Sequence, residues 1–311
     1  MPSEFALIDR YFRRPARHAV LGVGDDAAIV RPSPGCELLL STDMLVAGTH
    51  FLPDADPADL GWKTLAVNIS DMAAMGARPR WALLAAALPA ATESWIGKFA
   101  EGLFDCAEKF GVDVIGGDTT RGPRNLCVTI CGEVPAGTAL LRSGAHPHDE
   151  IWVSGMPGRA ALGLAHLQGR RPLAEPALSA CLAAYHRPQP RVELGLALRG
   201  LASAAIDVSD GLLADLGHIL EQSGVAATLR LEFLPEPGPE RDACLSGGDD
   251  YELVFTAPAF NHTRIVALAG ELALPLTCIG KIEAGPAGHM TIFDANGDPI
   301  EVAQRGYDHF A

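Results

Sequence analysis

The segment from residue 57 to 75, PADLGWKTLAVNISDMAAM, constrains this chain most. It reads as a helix ending just before Gly76, where a glycine cap is expected. Leu65, Val67, Ile69, Met72, Ala73 and Met75 make it apolar, and Asp71 interrupts them. A carboxylate buried there without a counter-charge costs on the order of several kcal/mol, so something positive is expected beside it. Capping, or a pair with Lys63 or Arg78, is the structural alternative.

Short strands and amphipathic helices alternate around this segment. SEFALIDRYF reads as a short helix capped by Ser3, with Phe5, Leu7, Ile8 and Tyr11 or Phe12 facing inward. Strands are expected at 20–23, 37–45, 81–88, 112–116 and 125–133, and a second helix at 92–110. Thr92 is its expected cap, Trp95, Phe99, Leu103, Cys106 and Phe110 its buried stripe, and Gly111 its stop. PAGTALLRSGAHPHD at 135–149 has little periodicity and reads as an inter-domain connection. Beyond it a strand at EIWVSG precedes helices at 158–168, 177–186, 191–202 and 209–222. Strands at 226–233, 250–256, 276–282 and 289–293 follow, with a helix near 261–272 and a proline-dense loop at 231–240. Both halves are therefore α+β, and no sequence repeat links them.

With 311 residues, 48% of them hydrophobic, the chain has material for one large domain or two, and disorder is excluded as its main state. The formal net charge of −14 argues against nucleic acid and anionic membrane surfaces as partners. The seven cysteines are scattered without a C-x-x-C pair, which points to a reducing compartment and away from disulfides and zinc. Cys127 and Cys131 are expected on one face of a strand as small core residues. The N-terminus does not read as a signal peptide, and the longest apolar run, 81–91, is too short to span a bilayer, so a cytoplasmic protein is expected.

The sequence contains no phosphate loop of the G-x-x-x-x-G-K-[ST] type, no G-x-G-x-x-G, no G-x-S-x-G and no H-E-x-x-H. It offers instead aspartates in short Gly, Ser and Thr contexts: GDDAA at 24–28, STDMLVAGTHF at 41–51, NISDMAAMGA at 68–77, GGDTTRG at 116–122 and IDVSDGL at 206–212. Each alone fits a turn or a helix cap. Several such segments in one cleft would hold more than one hard divalent cation through oxygen ligands. The residues alone thus point to a Mg2+-dependent enzyme that handles phosphates.

These segments, with RSGA at 142–145, GGDDYEL at 247–253 and GYDHF at 306–310, occur in an order that resembles the thiamine-monophosphate kinase family across nearly the whole chain. The resemblance implies a two-domain aminoimidazole ribonucleotide synthetase-like fold of the α+β / α/β class. Residues 1–137 would form an N-terminal ATP/Mg-binding and dimerisation domain whose sheet pairs with that of a second subunit. Residues 138–311 would form a C-terminal α+β domain. The implied reaction transfers the γ-phosphoryl of ATP to thiamine monophosphate.

By the same resemblance, Asp26, Ser41, Thr42, Asp43, Asp71, Asp118, Asp207 and Asp210 are expected metal ligands, Asp43 foremost. Asp25 is the weaker of its pair, because adjacent residues in an extended segment point to opposite sides. Gly117, Asp118, Arg142 and Ser209 are the expected ATP contacts. Gly117 would allow close backbone approach to phosphate, and Ser209 would offer N–H groups from a helix N-terminus. Arg121 suits a phosphate contact or a solvated loop equally. His50, Asp249 and Tyr307 are expected at the thiamine substrate. Two positions depart from the family pattern: Asp249 stands where Glu is usual, and Ala47 where many relatives carry an acid. Another ATP-dependent member of the superfamily with a different acceptor, or a non-catalytic nucleotide-binding relative, is the competing reading.

Overall fold

A computed structural model describes residues 4–230, 232, 239–294, 296–302 and 306–307. The chain divides into two compact units, residues 1–72 with 77–137, and residues 73–76 with 138–311.

The first unit opens with one helical turn, α1 (Glu4–Leu7), which runs into a π-type turn over Ile8–Phe12. Leu7 is buried and Ile8, Tyr11 and Phe12 are half-buried, while Ser3 and the Phe5 side chain lie outside the described residues. β1 (Ala19–Leu21) and β2 (Ile29–Val30) pair with each other. There follow β3 (Cys36–Val46), α2 (Pro57–Ala74), β4 (Arg78–Leu88), α3 (Glu93–Phe110), β5 (Asp113–Arg121) and β6 (Asn125–Pro135). The sheet order is β3-β6-β4-β5. Only the β4–β5 pair is parallel, and α3 supplies the crossover that a parallel neighbour requires.

α2 is buried at every residue from Leu60 to Ser70. Each fully buried Leu or Ile in it contributes about 1.5–3 kcal/mol relative to exposure. α3 lies against it so closely that a Cβ on Gly102 would sit 1.7 Å from the Ala58 carbonyl oxygen, and one on Gly61 would sit 2.0 Å from that of Phe99. The α3 stripe is Ile96, Phe99, Ala100, Leu103, Cys106 and Ala107. Trp95 and Phe110, expected in that stripe, are half-buried at its border. Thr92 does precede α3, but only its carbonyl is used, accepting the Trp95 and Ile96 N–H groups.

The other sheet face is open, with Leu38, Leu40, Met44 and Leu83 exposed. Cys127 and Cys131 lie on this face and are half-buried, which corrects their assignment to the core. Strand alternation does put them on one face, but register gives the covered face to Leu126, Val128 and Ile130.

The second unit contains β7 (Glu150–Ser154), α4 (Arg159–Leu167), α5 (Ala177–His186), α6 (Val192–Leu198), β8 (Ala204–Asp207), α7 (Leu212–Ser223), β9 (Ala226–Arg230), α8 (Pro239–Ser246), β10 (Leu253–Ala257), α9 (His262–Glu271), β11 (Leu276–Glu283), β12 (Met290–Phe293) and β13 (Pro299–Ile300). Its sheet runs β13-β12-β9-β11-β7-β10-β8, antiparallel except between β12 and β9. Ile151, Val153, Ile206 and Val254 face the α7 residues Leu212, Leu216, Ile219 and Leu220 in one core. Trp152 and Phe255, one step along their strands, stack on each other with ring centroids 6.5 Å apart.

Several expectations change here. The sequence pattern predicts neither β8, α8 nor β13; in β8 the four residues AAID show no alternation to distinguish them. The helix expected over 191–202 ends at Leu198, and the one over 209–222 begins at Leu212. Of the loop expected at 231–240, Pro239 and Glu240 open α8, while residues 231 and 233–238 lie outside the described residues.

Gly102→Ala is expected to lower the unfolding free energy by about 1–3 kcal/mol through the forced separation of α2 and α3. A Cβ on Gly217, within α7, meets nothing within 4 Å. Gly217→Ala should therefore stabilise by up to about 1 kcal/mol. Urea unfolding of both variants checks the contrast, and equal midpoints would contradict the close helix approach.

Candidate functional site

Strand alternation directs Ser41 and Asp43 of β3 to the face that carries α2. The Ser41 hydroxyl donates to Asp71 Oδ2 at 2.5 Å, and the Asp43 N–H donates to Asn68 Oδ1 at 3.0 Å. Asn68 is itself oriented by its amide nitrogen, which donates to the Thr64 carbonyl at 3.1 Å. Burial, and then the charge of Asp71, push the Asp43 carboxyl up from its ordinary 3.8 to about 7. Two carboxylates and a hydroxyl form an oxygen-only donor set in which the negative forms repel each other, and such a set fits a hard divalent cation.

Thr42 does not join this group: its hydroxyl is on the opposite sheet face, 2.9 Å from that of Thr129. Asp118 is exposed, and register sets it beside Ala85 in the row of Cys127 and Met44, not in the row of Asp43. Asp26 is exposed too, and its N–H donates to Asp25 Oδ1 at 2.9 Å, so Asp25 holds its own loop. Gly117 lies within β5, and a Cβ there would sit 1.8 Å from the Leu84 carbonyl oxygen. The sheet itself thus demands this glycine. His50 closes the turn after β3: its Nδ1 accepts the Val46 N–H at 3.0 Å, which makes Nδ1 the unprotonated ring nitrogen. Among the described residues no three His, Cys, Asp or Glu side chains gather closely enough to hold an ion by themselves.

In the second unit, Asp207 ends β8 and is buried, and the segment after it turns into α7. The Ser209, Asp210 and Gly211 N–H groups all donate to Asp215 Oδ2, at 3.0, 3.0 and 3.1 Å. The expectation that Ser209 offers a free N–H to an anion is therefore corrected, because an internal carboxylate already takes it. Burial pushes Asp215 up to about 6, with the three N–H bonds opposing that shift. The sequence reading missed Asp215; its signal was an acid in the first turn of an apolar helix, five residues after Asp210.

Asp249 and Tyr307 join the same segment. The Asp249 N–H donates to the Ser209 carbonyl at 2.7 Å, and the Tyr307 N–H to that of Asp210 at 2.9 Å. Asp249 and Tyr251 have φ of 73° and 55°, a left-handed backbone that residues other than glycine adopt at a cost. Asp250 and Glu252 anchor this loop. Asp250 accepts the Gly158 and Ala160 N–H groups at the start of α4, and Glu252 pairs with Arg191 and Ser154. The Arg142 carbonyl accepts the Ser223 hydroxyl at the C-terminal end of α7, whereas Ser209 and Asp210 precede the first turn of that helix.

Residues 24–134 match the family model for the N-terminal domain of AIR synthase related proteins, and residues 146–292 the one for the C-terminal domain. The thiamine-monophosphate kinase of Escherichia coli K12 is 48% identical over 99% of this chain and 98% of its own length. The chain belongs to the thiamine-monophosphate kinase family. A crystal structure of this kinase from Stenotrophomonas maltophilia K279a superposes with a TM-score of 0.85 at 45% identity, covering 96% of this chain and 98% of that one. A structure described as AaThiL complexed with AMPPCP and TMP superposes with a TM-score of 0.78 at 31% identity, covering 90% and 89%. The two-domain fold of the family is thus the fold of this chain, and no helix among the described residues is long and apolar enough to cross a membrane.

The family member described here carries a testable electrostatic signature. Asp43 loses its proton near pH 4 when unfolded and near pH 7 when folded, so the folded form binds more protons in between and loses stability as pH rises through that window. Metal-free Asp43→Asn should melt above the parent at about pH 8 and converge with it below about pH 4. Mg2+ should raise the melting temperature of the parent by more than that of the variant. A variant that melts below the parent at about pH 8 would contradict the repulsion between Asp43 and Asp71.

Proposed function

We propose that this chain transfers the γ-phosphoryl group of ATP to the phosphate of thiamine monophosphate, giving thiamine diphosphate and ADP. The observation that carries this reading is the oxygen-only group of Ser41, Asp43 and Asp71, within a chain of the thiamine-monophosphate kinase family. The acceptor is a phosphate oxygen already ionised near neutral pH, so no side chain need act as a base. Positioning and charge neutralisation carry the catalysis.

Ser41, Asp43 and Asp71 hold Mg2+ in this reading, with waters and substrate phosphates completing its shell. Asp26, Thr42, Asp118, Asp207 and Asp210 are the further metal ligands, directly or through water, and more than one ion is bound. Bound Mg2+ supplies positive charge to the phosphates. Gly117, Asp118, Arg142 and Ser209 contact ATP, with Ser209 acting through its hydroxyl because its N–H is committed to Asp215. His50, Asp249 and Tyr307 contact thiamine monophosphate. With Nδ1 bound to Val46, His50 presents Nε2 as its N–H donor. The shorter side chain of Asp249, where the family pattern has Glu, needs a bridging water or a shifted backbone to reach the same partner.

Residues 1–137 act as the ATP/Mg-binding and dimerisation domain and residues 138–311 as the second domain. The open face of the first sheet supports a homodimer, because Leu38, Leu40, Met44 and Leu83 expose apolar surface that pairing would cover. The enzyme works in the cytoplasm, without nucleic acid or membrane partners.

Incubation with MgATP and thiamine monophosphate, followed by chromatography of the thiamine esters, tests the reaction. Thiamine diphosphate is expected, and its absence while ATP still binds would refute the kinase reading. Asp43→Asn should lose at least about a thousandfold in turnover with an unchanged circular dichroism spectrum. Near-normal turnover would remove Asp43 from the metal site.

A further inference from the structure

Asp215 is 2% exposed, and one of its two carboxylate oxygens accepts three consecutive backbone N–H groups, those of Ser209, Asp210 and Gly211. Three bonds to one oxygen fix the path of the chain between β8 and α7. The carbonyls of the same segment point away from Asp215 into other parts of the unit. That of Val208 accepts the Tyr251 N–H at 2.9 Å, that of Ser209 the Asp249 N–H at 2.7 Å and that of Asp210 the Tyr307 N–H at 2.9 Å. The path that Asp215 sets therefore determines where three residues of two distant chain segments are held. Two of them, Asp249 and Tyr251, have left-handed backbones that persist only when their surroundings hold them.

We infer that Asp215 is a positioning residue, which by fixing residues 209–211 sets the metal and nucleotide residues Ser209 and Asp210 and the thiamine residues Asp249 and Tyr307 in one arrangement. This inference rests on the roles given to those four residues under the proposed function. Asp215 touches neither substrate in this account; it acts through the backbone. A helix cap alone would affect α7 and its first turn, whereas a positioning residue couples the two substrates.

The test uses the full chain with Asp215→Ala and Asp215→Asn, followed by amide hydrogen exchange and by separate KM and kcat values for MgATP and thiamine monophosphate. In Asp215→Ala, exchange should quicken at least tenfold in 209–211 and also at 249–251 and 306–307. Both KM values should rise at least tenfold, by more than kcat falls. Asp215→Asn keeps an acceptor oxygen without its charge, so it should show both effects in the same three segments at reduced size. Faster exchange confined to 209–211, or a loss in kcat with both KM values unchanged, would overturn the inference. Where Asp215→Ala does not fold, Asp215→Asn decides in the same way, by whether all three segments or only 209–211 exchange faster than in the parent. If the parent forms no thiamine diphosphate, the kinase reading fails by itself, and the exchange pattern still decides whether Asp215 governs the three segments.

Discussion

Asp43 and Asp71 place two carboxylates beside each other where β3 meets a helix that is buried at every residue from Leu60 to Ser70. Neighbouring like charges away from water are costly, and the folded chain responds by holding the Asp43 proton up to about pH 7. Enclosing α2 needs both the sheet and α3, and the glycine contact between Gly102 and Ala58 brings α3 close enough. The first unit thus spends part of the stability gained from its core on a pair of neighbouring carboxylates. Such a conflict between local and global preference is expected at a functional site.

The buried acids Asp113, Asp215, Asp250, Glu133 and Glu252 are used differently. Asp113 accepts the Arg17, His18 and Ala19 N–H groups, Asp215 those of residues 209–211, and Asp250 those of Gly158 and Ala160. Glu133 and Glu252 each meet an arginine, Arg80 and Arg191. These acids organise backbone where the chain leaves regular structure, since a carboxylate oxygen can satisfy several N–H groups at once. Acids that build loops and acids proposed to hold metal both contribute to the net charge of −14. The difference lies in their partners: the first kind faces N–H groups or guanidinium, whereas Asp43 faces Asp71.

Long periodic elements were legible in the sequence. α2, α3, β3, β4 and β6 follow the expected apolar patterns, and Gly111 and Gly224 end α3 and α7 in left-handed conformation as helix stops. Short elements were not legible: β8 is four residues of AAID, with no alternation to mark it. The faces of β6 were misjudged, since period 2 groups Cys127 with Cys131 but cannot say which group the helices cover. At the site, the oddity of an acid in an apolar helix marked Asp71, while its meeting with Ser41 and Asp43 was expected from the family resemblance alone. Thr42 comes from the same motif, but strand alternation turns its hydroxyl to the opposite sheet face, beside that of Thr129. Asp215 escaped notice because its role depends on backbone N–H groups, which a sequence pattern does not display.

The central claim is that the Asp43–Asp71 pair is built for a divalent cation. Diffraction from crystals grown with Mn2+ and a non-hydrolysable ATP analogue, collected at a wavelength where manganese scatters anomalously, tests it most directly. An anomalous peak within coordination distance of Asp43 or Asp71 is the expected result. Ordered nucleotide phosphates with no such peak near either carboxylate would contradict it.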